Sequence, residues 1–346
     1  MERTLTGPGG PFEVVREHVG GVELLVYRNR FGSLREVFDL GRAYGDDAFL
    51  VHGERRLSFG QIAARVDAVA ANLRERGVRA GDRVAVLSAN NPEWCITFWA
   101  TVNIGAVLVG LNAWWKPDEV LYGLRHSGAR LLIADRRRHE AVADRLGELG
   151  ALEHTVVIED DFDRLVGSGA DSPVPAASIG EEDAAVMFYT SGTTGRPKGA
   201  VSTHGAMIAT LQNQVFSAVA AAAAAGEAPG GGGRPVALLS SPLFHVSGTH
   251  AGLVAGWMAG MRLVIPEGRF DGERALDLIQ TERVTMWTTV PAMVWRVVDH
   301  PARSHYDLSS VRTVVYGGSP AAGELQRRVL ETFPNVAAPG LSLIHI

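Results

Sequence analysis

The stretch that most constrains this chain runs from Ala184 to Ala200, AAVMFYTSGTTGRPKGA, where a short apolar run breaks into a loop of glycines, hydroxyls and one lysine. Ala184 to Tyr189 reads as a buried strand and the segment beyond Thr203 as a helix. The loop is therefore expected at a strand-to-helix junction, where α/β proteins hold phosphates. Gly192, Gly195 and Gly199 carry no Cβ, so the backbone can take positive φ and bring its N–H groups close to an anion. Thr190, Ser191, Thr193 and Thr194 add hydroxyl donors, and Lys198 adds a charge that can reach a polyphosphate. Pro197 stiffens the chain just before that lysine.

A Walker loop is excluded by spacing. Counting from Gly192, Pro197 stands where its second glycine belongs and Gly199 where its magnesium-binding hydroxyl belongs. The bland alternative is a flexible Gly/Thr surface turn. Such turns seldom join three glycines, four hydroxyls and a lysine directly behind an apolar strand.

At these residues the chain resembles the adenylate-forming superfamily of acyl- and aryl-CoA synthetases, luciferases and peptide-synthetase adenylation domains, for which YTSGTTGRPKG looks like the signature loop. The segments from Leu57 to Asp135, including LSFGQIAARVDAVAANLRERGVRAGDRVAVLSANNPEW and HSGARLLIAD, resemble the first sheet subdomain of acyl-CoA synthetases. The resemblance implies an α/β fold: two packed, doubly wound βαβ sheet subdomains of the large N-terminal domain of such enzymes, truncated.

Length and pattern point the same way. A chain of 346 residues exceeds what one core usually fills, so two subdomains are expected. Apolar residues at 46% and charged ones at 21% are those of an ordinary globular protein, and a net charge of −5 gives no reason to expect nucleic acid or an anionic membrane as partner. The single cysteine, Cys95, rules out an internal disulfide framework and reads as a small apolar helix residue. MERTLTGPGGPFEVV has no apolar core of signal-peptide length, and Ala251 to Met261, taken as the longest apolar stretch, is too short to span a bilayer. A cytoplasmic location without a transmembrane segment is expected.

In chain order, Val22 to Tyr27 reads as a candidate strand and Val51 to Leu57 as a hairpin turning at Gly53. Ser58 and Gln61 form a capping box for a helix with Ile62, Val66, Val69 and Leu73 on one face. Strands at Val84–Leu87, Val107–Leu111, Arg130–Ala134 and Val156–Ile158 alternate with helices, one opened by Asn91-Pro92. That alternation implies a parallel sheet. Arg136 to Arg138 read as a solvated turn and Asp160 to Pro175 as a linker. Thr203 caps the helix behind the loop, which dissolves into the low-complexity stretch 218–233, a flexible insertion. A second βα series follows from Val236 to Phe333, with a cleft expected at the carboxyl ends of the strands. The expected domains are 1–56, packing with the second sheet; 57–183; 184–340; and an unmatched tail, 341–346.

Two further segments carry chemistry by resemblance. Pro242 to Gly248, PLFHVSG, matches a wall of the family's carboxylate-substrate pocket, with His245 at its histidine position. Phe244, His245, Val246, Gly248 and Trp287 are thus implied pocket residues. Phe244-His245 stands where amino-acid-activating relatives carry an aspartate, which favours an acyl or aryl acid without an amino group. An interior histidine remains the alternative at His245, and core packing remains open for Trp287 and Trp295. Tyr316 to Pro320, YGGSP, looks like the adenine-binding turn, implying contacts from Gly317, Gly318, Ser319 and Pro320. Sequence patterns give no support to a nucleophile elbow, an HExxH helix or a Rossmann fingerprint.

The resemblance implies ATP, with Mg2+ accompanying it, and CoA as acyl acceptor. Lys198 is then the charge that stabilises the departing pyrophosphate. Family members continue beyond FPNV with a Tyr-Gly-x-Thr-Glu segment that holds magnesium, and with a mobile domain bearing the adenylation lysine. Neither is written here, so no metal-binding residue is named and little full-reaction activity is expected of this chain. A non-catalytic nucleotide-binding module and an enzyme loading an acyl carrier protein are the alternatives, and a homodimer is left open.

Overall fold

The computed structural model describes residues 2–167, 178–190, 195–226, 233–317, 323–336 and 340–341. Its strands are β1 Val14–Val19, β2 Val22–Tyr27, β3 Ala48–His52, β4 Arg55–Ser58, β5 Arg83–Leu87, β6 Val107–Gly110, β7 Leu131–Ala134, β8 His154–Val157, β9 Ala184–Thr190, β10 Lys198–Thr203, β11 Val236–Leu238, β12 Arg262–Val264, β13 Met286–Thr289, β14 Thr313–Tyr316 and β15 Gly340–Leu341. The chain divides into two compact units. One comprises Met1–Leu40, Ala64–Leu87 and Ile96–Gly233, and the other Gly41–Ala63, Ser88–Cys95 and Arg234–Ile346.

The first unit holds a six-stranded sheet in the order β10-β9-β6-β5-β7-β8. From β9 to β8 every pairing is parallel. All four residues of β6 and of β7 are buried, as expected of strands covered on both faces. Below the carboxyl ends of these strands lies an apolar cluster that includes Leu87, Val109, Leu111, Leu121, Leu124 and Leu132, with Trp115, Met187 and Tyr189 packed on it.

The segment after the glycine loop departs from the expectation. Lys198 to Thr203 is not a lead-in to a helix but an antiparallel edge strand, with Lys198 opposite Thr190 and Ala200 opposite Phe188. The loop therefore closes a β-hairpin. The following helix starts one strand later, where Thr203 accepts a hydrogen bond from the Ala206 N–H. Six residues of extended chain put that helix N-terminus about 20 Å from the loop. Its dipole, which acts only over the first turn, does not reach there.

Three further expectations change. The helix His204–Ala225 does not dissolve at Ala218 but runs through the alanines to a left-handed Gly226, because alanine is the strongest helix former. Residues 227–232 of the expected insertion lie outside the described residues. The expected linker Asp160 to Pro175 is helical in its first half, within the helix Ile158–Gly167 that buries Phe162 and Leu165, and residues 168–175 lie outside the described residues. Arg136–Glu140 is a short helix capped by Asp135, and Arg138 pairs with Asp135 and donates to the Ala113 carbonyl. Among the described residues one helix, His204–Ala224, is long and apolar enough to cross a membrane by length and composition, although polar residues interrupt its apolar ones. Its first turns bury Met207, Ile208 and Leu211 in the protein, while most of the rest of the helix is partly or fully exposed.

The second unit holds a seven-stranded sheet, β15-β14-β13-β11-β12-β3-β4. β3 and β4 form the expected hairpin, and β3 joins β12 in parallel, pairing Leu50 with Leu263. β11 is central. The chain moves from it to β12 on one side and then crosses to β13 on the other, so the winding reverses between β11 and β13. Such a reversal opens a crevice at the carboxyl ends of the strands. The core beneath includes Val264, Leu276, Ile279, Trp287, Val297, Val314 and Phe333.

Candidate functional site

In the first unit the site begins where β9 leaves its sheet. Thr190 and Lys198 face each other across the hairpin, and the Thr190 hydroxyl lies 3.5 Å from the Lys198 carbonyl. Both side chains are exposed, and the Lys198 ammonium pairs with no carboxylate among the described residues. Gly195 has φ +86°, the left-handed backbone that favours glycine. Gly199 has no such torsion. A Cβ there would meet the Met187 sulfur at 3.0 Å, so this glycine serves close packing of β10 on β9. Ser191, Gly192, Thr193 and Thr194 lie outside the described residues.

The hairpin rests on the helix Pro117–Ser127, a support that loop composition did not disclose. The Tyr122 hydroxyl donates to the Pro197 carbonyl at 3.3 Å, and the Arg196 guanidinium sits 5.6 Å from the Tyr122 ring centre. The Tyr189 hydroxyl donates to the Gly123 carbonyl at 2.9 Å and lies 3.1 Å from His126 Nδ1. Burial pushes the Tyr189 phenol up to about 12, so it remains a donor across the physiological range.

In the second unit the candidate residues gather at the winding reversal. Ser240 follows β11, and its hydroxyl accepts from the Trp287 indole N–H at 2.9 Å and lies 3.1 Å from the Thr289 hydroxyl. Trp287 has no exposed surface and stacks on Phe270. In this structure it is a core residue, not part of an open pocket wall. The Gly317 N–H donates to the Thr289 carbonyl at 3.3 Å, while Gly318, Ser319 and Pro320 lie outside the described residues.

The segment after Ser240 presents the expected Phe244-His245 pair. Phe244 is half-buried, and His245 and Val246 are exposed. His245 caps a single helical turn, its Nδ1 accepting from the Ser247 N–H at 3.4 Å. Gly248 is buried, and a Cβ there would fall 2.2 Å from the Pro242 carbonyl oxygen, so its need for glycine is steric. His250 lies behind, in a π-helical turn Thr249–Val254. Burial, and then the positive charge of His245, push it down to about 4.

Asn90 was missed. It sits beside Asn91, whose side chain caps the next helix by accepting from the Trp94 N–H at 2.7 Å. The only sequence signal is a second asparagine before a proline, and that cap explains one of the pair. Among the described residues no group of three or more His, Cys, Asp or Glu could hold a metal ion.

Two parallel-rich sheets, each with its winding reversal or strand-end loop, define the large domain of adenylate-forming enzymes. This chain belongs to the AMP-binding enzyme family, whose profile matches residues 38–342. It is 34% identical over 280 residues to a feruloyl-CoA synthase from Amycolatopsis, covering 81% of this chain and 53% of that protein. It is 31% identical over 299 residues to 4-coumarate–CoA ligase 1 from Petroselinum crispum, covering 84% of this chain and 53% of that protein. Among solved structures it is similar to the N-terminal domain of FACL13 from Mycobacterium tuberculosis, with a TM-score of 0.75 at 25% identity, covering 90% of this chain and 76% of that one. The chain thus spans about half the length of the curated relatives it matches.

Proposed function

We propose that this chain carries the ATP loop and acid-recognition segment of an acid–thiol ligase acting on a fatty or aryl acid. The aryl alternative is supported by the hydroxycinnamate specificities named for its relatives. A carboxylate oxygen attacks the α-phosphorus of ATP, and the bond to pyrophosphate breaks, leaving an acyl-adenylate. The sulfur of CoA then attacks the acyl carbon and AMP departs. Thr190, Ser191, Gly192, Thr193, Thr194, Gly195 and Gly199 are assigned to the triphosphate, and Gly317, Gly318, Ser319 and Pro320 to the adenine. Phe244, His245 and Val246 are assigned to the acid. Mg2+ would arrive on the nucleotide's own phosphate oxygens. A cytoplasmic site of action is part of the same proposal.

The observation that carries the proposal is the exposed Lys198, without a carboxylate partner among the described residues, at the mouth of a glycine-hydroxyl hairpin loop. An ammonium placed there supplies charge where the pyrophosphate develops it. Because the side chain is exposed on an edge strand, its loss removes charge at little expected cost in structure. Lys198→Ala should therefore weaken ATP binding at least tenfold, measured by calorimetry, with an unchanged urea midpoint. Equal affinity in the two proteins would overturn the assignment. Acid-dependent ATP–pyrophosphate exchange by the 346-residue chain reports whether its own groups suffice for the first step.

A further inference from the structure

The Leu239 N–H still donates to the Val264 carbonyl of β12 at 2.8 Å, and beyond it the chain leaves its sheet. Ser241 and Leu243 are nevertheless buried, at 1% and 0% exposure. Buried backbone polar groups must be satisfied by something. Asn90 supplies most of the answer. Its Nδ2 donates to the Ser241 carbonyl at 2.8 Å, and its Oδ1 accepts from the Leu243 N–H at 2.8 Å. A backbone N–H can only donate and a carbonyl can only accept, so the two bonds fix the amide's orientation without ambiguity. They straddle Pro242, which has no N–H to offer and a locked φ. The Leu243 carbonyl is taken in turn by the Thr249 hydroxyl, and Gly248 lies against the Pro242 carbonyl too closely for a Cβ.

Segment 241–249 is thus held at four points, and what it carries on its outer side is Phe244 and His245. We infer that Asn90 is a positioning residue for acid recognition. By clamping the backbone on both sides of Pro242, it sets the direction in which Phe244 and His245 meet the acyl or aryl group. The inference rests on the assignment of those two residues to the acid, and it adds a residue from outside that segment on which specificity depends. Asn90 need not touch the acid.

The test uses the full 346-residue chain with ¹³C-labelled histidine and ferulate as the probe acid, with 4-coumarate and palmitate in parallel. In Asn90→Ala the His245 ring resonance should shift toward its random-coil position and the ferulate Kd should rise about tenfold. The His204 resonance, in the other unit, should stay fixed. Asn90→Asp keeps the acceptor for Leu243 but sets a carboxylate against the Ser241 carbonyl, so it should give a smaller shift of the same His245 signal. It also decides the matter should the alanine variant not fold. An unmoved His245 signal in these variants would overturn the positioning role, as would a moved signal with unchanged ferulate affinity. Should the wild-type chain bind none of the three acids, the assignment of Phe244 and His245 to the acid fails along with the specificity role. The His245 signal would then still show whether Asn90 clamps the segment.

Discussion

Lowering the pH from 7 to 4.5 should destabilise the first unit through one buried imidazole, His204. This residue opens the helix His204–Ala225 and has no exposed surface. Its Nδ1 accepts the Leu34 N–H at 3.1 Å, so the proton of the neutral ring sits on Nε2. Burial pushes its pKa down to about 4, against a smaller opposing pull from Asp183. In the unfolded chain an ordinary histidine titrates near 6.5. Between those values the unfolded state binds a proton that the folded state refuses. Stability is therefore intact above about 6.5 and is lost as pH falls toward 4, by up to about 3 kcal/mol for a shift of this size. Losses of that order matter against the 5–15 kcal/mol typical of a domain.

The assay is urea unfolding by far-UV circular dichroism at pH 7.5, 6.0, 5.0 and 4.5, with amide exchange of Leu34 as the local probe. His204→Asn provides the reference, because its Oδ1 can keep the Leu34 bond while nothing titrates. Its packing defect is a constant offset, so the informative quantity is the difference in slope. The wild type should lose about 2–3 kcal/mol more than the variant by pH 4.5, and its Leu34 amide should lose protection over the same interval. Parallel pH profiles for the two proteins would refute the reasoning.

His250, also pushed down to about 4, should give the second unit the same acid sensitivity, read as a pH-dependent unfolding step that His250→Gln flattens. Gly248→Ala should cost roughly 1–3 kcal/mol in thermal unfolding through overpacking, because a backbone oxygen cannot move aside as a side-chain tip can. Trp287→Phe should cost about 1 kcal/mol for the lost bond to Ser240, with unchanged affinity for acids; a loss of acid affinity would return Trp287 to the pocket. Glu282 is nearly buried, and its hydrogen bonds to Arg56 hold its carboxyl below the usual range. Its contribution is therefore present above the ordinary carboxylate pKa and lost as pH falls through the lowered one. Arg56→Met should lower stability at pH 7 by about 1–3 kcal/mol and weaken that acid dependence.

Much of the fold was legible because its signals are local. The Ser58–Gln61 capping box is present in both directions, and Thr203 and Asn91 cap their helices as their residue types suggest. Helix Pro291–Val298 and strand Thr313–Tyr316 fall where periodicity and the opening proline set them. Strand β10 was not legible. KGAVST has no clear alternation, and an edge strand exposed along much of its length needs none. The alanine run was misread because low complexity suggests a mobile linker, whereas helix propensity favours continuing the helix.

The chemistry divides in the same way. The glycines, hydroxyls and Lys198 proposed to hold the triphosphate could be picked out by composition, because they are neighbours along the chain. Which backbone holds that stretch, which residues brace it and which asparagine bonds the backbone on both sides of Pro242 depend on contacts between distant residues. Leu50 reaching Leu263 and Asn90 reaching Leu243 are examples. A side chain's partner across such distances is chosen by how strands order themselves in a sheet, and no window of local sequence contains that choice.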